Sequence, residues 1–174
     1  QHDESGDLGL GSGWLTQHTE INQNVALRIR TNESFHLIDD NRPIICIGNG
    51  TGISGLMSHL HQREHWKQQR NWLIFGERQR ATDRLFASEL ESWQASGFLT
   101  QLDEIYSRDG EGYVQNCVAA KCDQVREWLA NGAAIYVCGS LAMGKGVHEE
   151  LIRILGAGTV QQLIDQQRYR RDIY

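Results

Sequence analysis

Three short stretches carry residue types whose spacing suits the handling of a nucleotide. Gly50-Thr51-Gly52-Ile53-Ser54-Gly55 is a G-x-G-x-x-G run that follows the apolar Ile44-Ile45-Cys46-Ile47 almost at once. Glycines there let the backbone approach a pyrophosphate, and a helix opening beyond them aims free N–H groups and a positive dipole end at the same anion. The second stretch is Tyr106-Ser107-Arg108-Asp109, with Tyr113-Val114-Gln115 a few residues on. It gathers a hydroxyl, a guanidinium, an aromatic face and an amide. Arg108 can grip phosphate through its fork of N–H donors, Ser107 adds a hydrogen bond and Tyr113 can cover adenine, so the set suits a phosphorylated ribose and its base. The third is the carboxyl terminus, Arg168-Tyr169-Arg170-Arg171-Asp172-Ile173-Tyr174. A terminal tyrosine costs ordering entropy unless its face is covered, and an acid two residues earlier needs a charged or proton-accepting partner. A bound, redox-active ring system would satisfy both; a frayed, Arg-rich helix end is the plain alternative.

Which dinucleotide is meant stays open on these residues alone. Glu77 stands where the dinucleotide fingerprint places an acid for the ribose 2′-OH, which would mean NAD. Its neighbour Arg78 would instead suit an anionic ribose phosphate.

The elements that must position these groups follow from the patterning. Val25, Leu27 and Ile29 alternate through Val25–Arg30, as in a half-buried strand. Asp39-Asp40-Asn41-Arg42-Pro43, with the only proline, breaks the pattern and marks a boundary. Beyond it, Ile44–Ile47 is a continuous apolar run expected of a strand buried on both faces of a parallel sheet. A helix is expected from Ile53 to about Gln68, a second strand at Trp72–Phe75 and a second helix at Leu85–Ala95. A third strand then spans Leu99–Tyr106. Val114–Ala130 reads as one helix with Cys117, Val118, Val125, Trp128 and Leu129 on its buried side. Ala134–Val137 is a fourth strand, helices follow near Gly146–Leu155 and Val160–Gln167, and a fifth, terminal strand or extension carries Asp172–Tyr174. This alternation predicts a doubly wound α/β domain over residues 43–174, a parallel sheet with helices on both faces and ligands outside the carboxyl ends of its strands. Residues 1–42 do not alternate in this way and are expected to be the tail of a preceding β domain. The tryptophans Trp66, Trp72, Trp93 and Trp128 are expected in packing roles.

Composition narrows the setting. A net charge of −5 and a pI near 5.8 argue against a nucleic-acid partner. No apolar run reaches the roughly 20 residues that span a bilayer, and the acidic Gln1–Asp7 is unlike the basic start of a signal peptide. Because the chain begins on Gln, an excised segment of a longer protein is expected. Cys46, Cys117, Cys122 and Cys138 have neither zinc spacing nor the density of a disulfide scaffold, which points to reduced thiols in a cytoplasmic setting. His59, His61 and His65 lack a carboxylate or thiol at ligand spacing; a solvated helix face is expected, and no metal site.

Taken in order, Gly48-x-Gly50-Thr51-Gly52-Ile53, Phe75-Gly76-x-Arg78, Ser107-Arg108-Asp109 with Tyr113-Val114-Gln115, Ile135-Tyr136-Val137-Cys138-Gly139-Ser140 and Tyr169-x-x-Asp172-Ile173-Tyr174 resemble the ferredoxin-NADP reductase superfamily. The likeness is to the NADPH-binding domain of the sulfite reductase flavoprotein and NADPH-haemoprotein (diflavin) reductase type, and covers Pro43 to Tyr174. It implies that Gly50, Thr51, Gly52 and Gly139 meet the pyrophosphate and nicotinamide half of NADPH. Arg78 would reach the adenosine side, and Ser107, Arg108, Tyr113 and Gln115 would read the 2′-phosphate and adenine. Cys138 would lie beside the nicotinamide C4, Asp172 would steady developing positive charge, and Tyr174 would stack on the flavin of FAD. Gly9-Leu10-Gly11-Ser12-Gly13-Trp14-Leu15 resembles the FAD-pyrophosphate segment at the end of the flavin barrel, with Ser12 as the hydroxyl, which makes residues 1–42 a β remnant of that barrel.

The departures are specific. Asn49 replaces a usual proline and Ser54-Gly55 a usual Ala-Pro, so the loop is expected to be less rigid; Glu111 replaces a frequent lysine, which weakens the case for strict NADPH preference. Ser140-Leu141-Ala142-Met143-Gly144-Lys145-Gly146 replaces an acid-bearing version, and the Arg-x-Tyr-Ser flavin motif is absent, so this chain is not expected to hold FAD alone. The implied activity is an NADPH-dependent flavoprotein oxidoreductase, with hydride passing to FAD in an upstream domain and electrons leaving for an FMN, haem or iron–sulfur acceptor. A conventional NAD dehydrogenase fragment using Glu77, and a non-catalytic NADP(H)-sensing or interaction domain, are the alternatives.

Overall fold

The computed structural model describes residues 10–28 and 31–174, which divide into two compact units, one holding residues 10–28 and 31 and the other residues 32–174. The acidic amino end, Gly9, and Ile29 with Arg30 of the expected strand lie outside the described residues. In the first unit Leu10–Gly13 forms a short helix, α1, that continues as a π-helical turn over Trp14–His18. Thr16 and Thr19 donate from their hydroxyls to the Ser12 and Trp14 carbonyls at 2.8 and 2.9 Å. The strand expected from Val25 is absent over Val25–Arg28, where Leu27 is 80% exposed. Alternation alone does not make a strand where no apolar face covers it.

The second unit is an α/β domain built on five parallel strands in the order β3-β2-β1-β4-β5. These are β1 (Ile44–Asn49), β2 (Asn71–Glu77), β3 (Leu99–Tyr106), β4 (Ala134–Gly139) and β5 (Tyr169–Ile173). The helices are α2 (Ile53–His65), α3 (Arg80–Asp83), α4 (Ala87–Ala95), α5 (Val114–Ala120), α6 (Cys122–Ala130), α7 (Leu141–Leu155) and α8 (Ala157–Asp165).

The continuous apolar runs are explained by burial on both faces. Ile45, Ile47, Trp72, Ile74, Ile135 and Val137 pack with residues of α5, α6, α7 and α8. Their neighbours Ile44, Cys46, Leu73, Phe75, Tyr136 and Cys138 point the other way, against α2 and α4. Phe35, from the segment ahead of β1, completes this second core. Trp72 and Trp93 are buried, with their indole N–H groups donating to Asp103 and Glu64 at 2.8 and 2.7 Å.

Several boundaries differ from the sequence reading. The helix expected across Val114–Ala130 breaks at Lys121, whose backbone leaves helical values while its ammonium pairs with Asp103 of β3 at 2.7 Å. Helix α7 begins at Leu141 rather than Gly146, capped by the Ser140 hydroxyl, which accepts from Met143 N–H at 3.3 Å. Gly144 and Gly146 obscured that start; they give the helix room to lie against Ile173 and Gln115. The last strand starts at Tyr169 and ends before Tyr174.

His59 is also a correction. It is not on a solvated face but stacks on Phe35 at 4.8 Å and meets Tyr136 edge-on at 4.9 Å, with its Nε2 buried and unpartnered. Burial, first, and the nearby His36 and Arg170 push its pKa down to about 4, against the opposing hydrogen bond to the Phe35 backbone. Among the described residues no helix is long and apolar enough to cross a membrane, and no group of three or more His, Cys, Asp or Glu is placed to hold a metal.

Candidate functional site

The carboxyl ends of β1, β2, β3 and β4 open on a cleft of about 500 Å³. Its lining includes Gly50, Arg78, Ser107, Tyr113, Gln115 and Ser140. This is where a parallel sheet that reverses its strand order, here between β1 and β4, is expected to hold ligands. Gly50, at φ +54°, opens a tight turn ahead of α2, and a side chain there would meet nothing within 4 Å. The backbone is therefore open to close approach by an anion at the amino end of a 13-residue helix.

The loops that carry the adenosine-side candidates are tied to each other. The Arg108 N–H donates to the Arg78 carbonyl at 2.8 Å, and the Ser107 hydroxyl to the Glu77 carbonyl at 3.3 Å. Arg108 itself is exposed and does not line the cleft. The Arg78 and Arg108 guanidinium groups make no ion pair among the described residues, whereas Arg80 and Arg84 are both paired. Tyr113, 62% exposed, caps α5, and its ring is free to cover a flat ligand. Glu77 also lines the cleft; burial pushes its carboxyl pKa up, against the pull of the Arg78 backbone N–H.

The other candidates gather at the β1, β4 and β5 ends. Cys138 and Asp172 are register partners across β4 and β5. The Cys138 thiol does not line the cleft; it packs in the second core, and burial, aided by Asp172, pushes its pKa up to about 11. Gly52 is buried against the Cys138 carbonyl. Tyr174 is held rather than frayed: its N–H donates to the Gly139 carbonyl at 3.0 Å and its carbonyl accepts from Leu141 N–H at 3.1 Å. Its hydroxyl shares a 2.7 Å hydrogen bond with Thr51 Oγ1, leaving the residue 59% exposed. Ser12 lies in α1 of the first unit.

Asn49 was read from sequence only as a missing proline. Its Oδ1 accepts from Ser140 N–H at 3.0 Å and its Nδ2 donates to Ser140 Oγ at 3.2 Å, a brace from β1 to the start of α7. The loop expected to be less rigid is fastened in another way. Gly139, at φ +141°, permits the brace, since a Cβ there would come within 2.3 Å of Asn49 Oδ1. Gly76, part of the Phe75-Gly76-x-Arg78 motif, and Met143 also line the cleft, though neither was picked out from sequence as a binding residue.

A five-stranded parallel sheet with a glycine turn at its switch point is consistent with a nucleotide-binding domain, and its relatives specify which. A family model for the oxidoreductase NAD-binding domain matches residues 46–149, and the chain belongs to that family. It is 35% identical over 189 residues to the sulfite reductase (NADPH) flavoprotein alpha-component of Neisseria meningitidis serogroup C (strain 053442), covering 100% of this chain and 31% of that protein. The same component of Vibrio vulnificus (strain CMCP6) is 34% identical over 191 residues, covering 100% and 31%. That of Aliivibrio fischeri (strain ATCC 700601 / ES114) is 38% identical over 182 residues, covering 96% and 30%. The chain thus spans about a third of the length of these curated relatives. The homology is to the nucleotide-binding domain of an NADPH-dependent flavoprotein oxidoreductase, as the ordered motifs implied.

Proposed function

We propose that the chain is the pyridine-nucleotide module of an NADPH-dependent flavoprotein reductase. The observation that carries this reading is the cleft itself: Arg78, whose guanidinium makes no ion pair among the described residues, lines it together with Ser107, an exposed Tyr113 and the open Gly50 turn, and Arg108 stands on the loop beside it. Arg78, Ser107 and Arg108 take the 2′-phosphate, Tyr113 and Gln115 the adenine, and Gly50, Thr51, Gly52 and Gly139 the pyrophosphate and nicotinamide half. When bound, NADPH supplies a hydride that FAD accepts and passes on as single electrons to an FMN, haem or iron–sulfur acceptor.

The chain's own residues orient that transfer. The Cys138 thiol, protonated at neutral pH and packed in the core beneath the strand ends, would support the nicotinamide end of the site from below and form no covalent bond. Asp172 steadies positive charge as it develops. Tyr174 covers the flavin ring and yields its place to the nicotinamide. Residues 1–42 are the tail of an upstream FAD-binding β domain, with Ser12 toward the FAD pyrophosphate, and the whole works in the cytoplasm with no nucleic-acid partner.

Calorimetry of the Arg108→Ala variant tests the phosphate assignment. Losing a charge-assisted, forked contact costs on the order of 2 kcal/mol, so NADPH affinity should fall by tens of fold while NADH affinity stays nearly constant. Equal losses for both cofactors would sink the assignment. If Glu77→Ala instead abolished NADH binding, a conventional NAD site would take its place.

A further inference from the structure

Glu111 runs against the charge pattern of the cleft. It stands one residue before the lining residue Gly112 and three after Arg108, so a phosphate held by Arg78 and Arg108 has a carboxylate for a neighbour. Left alone, that carboxylate would repel the dianion and weaken any preference for it.

The structure shows it is not left alone. Glu111 Oε2 accepts from the Tyr106 backbone N–H at 3.0 Å, and Oε1 accepts from Arg80 Nη2 at 3.3 Å. The Arg80 guanidinium lies over the Tyr106 ring, 4.3 Å from its centre, and this contact limits its freedom to swing away. The Arg80 backbone N–H donates to Asp109 Oδ2 at 2.9 Å. With the Arg108-to-Arg78 backbone bond, this joins the loops after β2 and β3 into one platform with Arg80 at its centre. Glu104 is the other claimant on Arg80, at 3.8 Å, but Arg84 already binds Glu104 at 3.1 Å. The positive charge of Arg80 is therefore available to Glu111.

We propose that Arg80 is a specificity-determining residue for 2′-phosphorylated adenosine: by neutralising Glu111 and holding the β3 loop to the β2 loop, it lets Arg78 and Arg108 receive the phosphate unopposed. Preference for the phosphate, carried by Arg78 and Arg108, is then tuned by a coupled pair, Arg80 and Glu111. This rests on the reading of the cleft given above and names how that reading is regulated.

The test is a set of titrations of the 174-residue chain with 2′,5′-ADP and with 5′-AMP at low ionic strength. Arg80→Ala should lose roughly tenfold in affinity for 2′,5′-ADP and little for 5′-AMP, an effect that shrinks as salt is raised. Glu111→Gln keeps an oxygen for the Tyr106 N–H but removes the charge, and should gain several-fold for 2′,5′-ADP. Combined with Arg80→Ala it should restore most of the lost affinity, so the two effects are not additive. Arg80→Lys, melted in parallel with the others, separates charge from folding and should retain most of the preference. A wild-type chain that takes both ligands equally overturns the phosphate reading and this inference with it. A wild-type preference that Arg80→Ala leaves undiminished, a loss in Arg80→Ala that Glu111→Gln does not rescue, or a preference that Arg80→Lys abolishes without loss of melting temperature, overturns this inference alone.

Discussion

At the amino ends of β1 and β2, Arg63 is 0% exposed, and its guanidinium donates to Asn71 Oδ1, to Gln68 Oε1 at 2.8 Å, and to the carbonyls of Arg42 and Gln69 at 3.0 and 2.8 Å. At the carboxyl ends of β2 and β3, Arg78 and Arg108 make no ion pair at all among the described residues. One residue type serves opposite purposes at the two ends of a single sheet. The buried guanidinium directs its donors to neutral acceptors from two segments, Arg42 and residues 68–71, which fixes where β1 and β2 begin. The exposed pair keeps its donors in water, where an incoming phosphate can claim them at small desolvation cost. On the proposed reading, the arginine at one end serves the fold and the pair at the other serves binding.

Removing Arg63 should break that division most visibly. Arg63→Ala strands two side-chain acceptors and two backbone carbonyls in a closed site, at a cost of about 3–5 kcal/mol and a fall in Tm of roughly 10 °C. Arg108→Ala should melt within about 0.5 kcal/mol of the parent. Denaturant melts of both variants make the comparison, and a comparable loss in Arg108→Ala would show that the two ends are not separable.

A second handle on the stability end is pH. His59 is held against Phe35 and Tyr136 with a pKa of about 4, below its ordinary 6.5, so the fold prefers the neutral ring. A depressed histidine contributes its stability in full above the unfolded value and loses it as pH falls from 6.5 toward 4. The loss on acidification should be on the order of 2 kcal/mol, and His59→Phe should flatten this part of the pH profile. Urea melts across the same range, with the parent showing no slope there, would count against a neutral buried ring.

The difference between the two ends is also a difference in what the sequence discloses. The strands of the sheet were legible because burial on both faces leaves apolar runs such as Ile44–Ile47, and the place of the cleft because Gly50 and Ser107 sit in order at strand ends, with Arg108 beside it and not in its lining. Arg63 was not legible: an arginine in an amphipathic helix looks solvated, and its acceptors come from Arg42 and Gln68–Asn71, outside the periodic pattern. His59 was misread for the same reason, since Phe35 reaches it from an irregular segment. Arg80 gave no signal because its importance lies in Glu111, some thirty residues away in sequence and 3.3 Å away in space. Periodicity reports on one element at a time, whereas buried or paired charges depend on several.

The smallest effect should fall on the bond between Thr51 and Tyr174. The Thr51 hydroxyl, assigned above to the pyrophosphate side, is engaged at 2.7 Å by the terminal tyrosine, so a bound nucleotide competes for it. Tyr174→Phe keeps the ring and leaves the backbone bonds to Gly139 and Leu141 able to form, but frees that hydroxyl. An exposed hydrogen bond of this kind is worth about 0.5–1 kcal/mol, so nucleotide affinity should rise roughly two- to fivefold. Because the pyrophosphate is common to both cofactors, the gain should be the same for NADPH and NADH, in contrast to the selective loss expected of Arg108→Ala. Titration of the variant with both cofactors decides the matter. A gain confined to NADPH would place Thr51 on the adenosine side, and no gain would mean that the nucleotide leaves the Thr51 hydroxyl where it is.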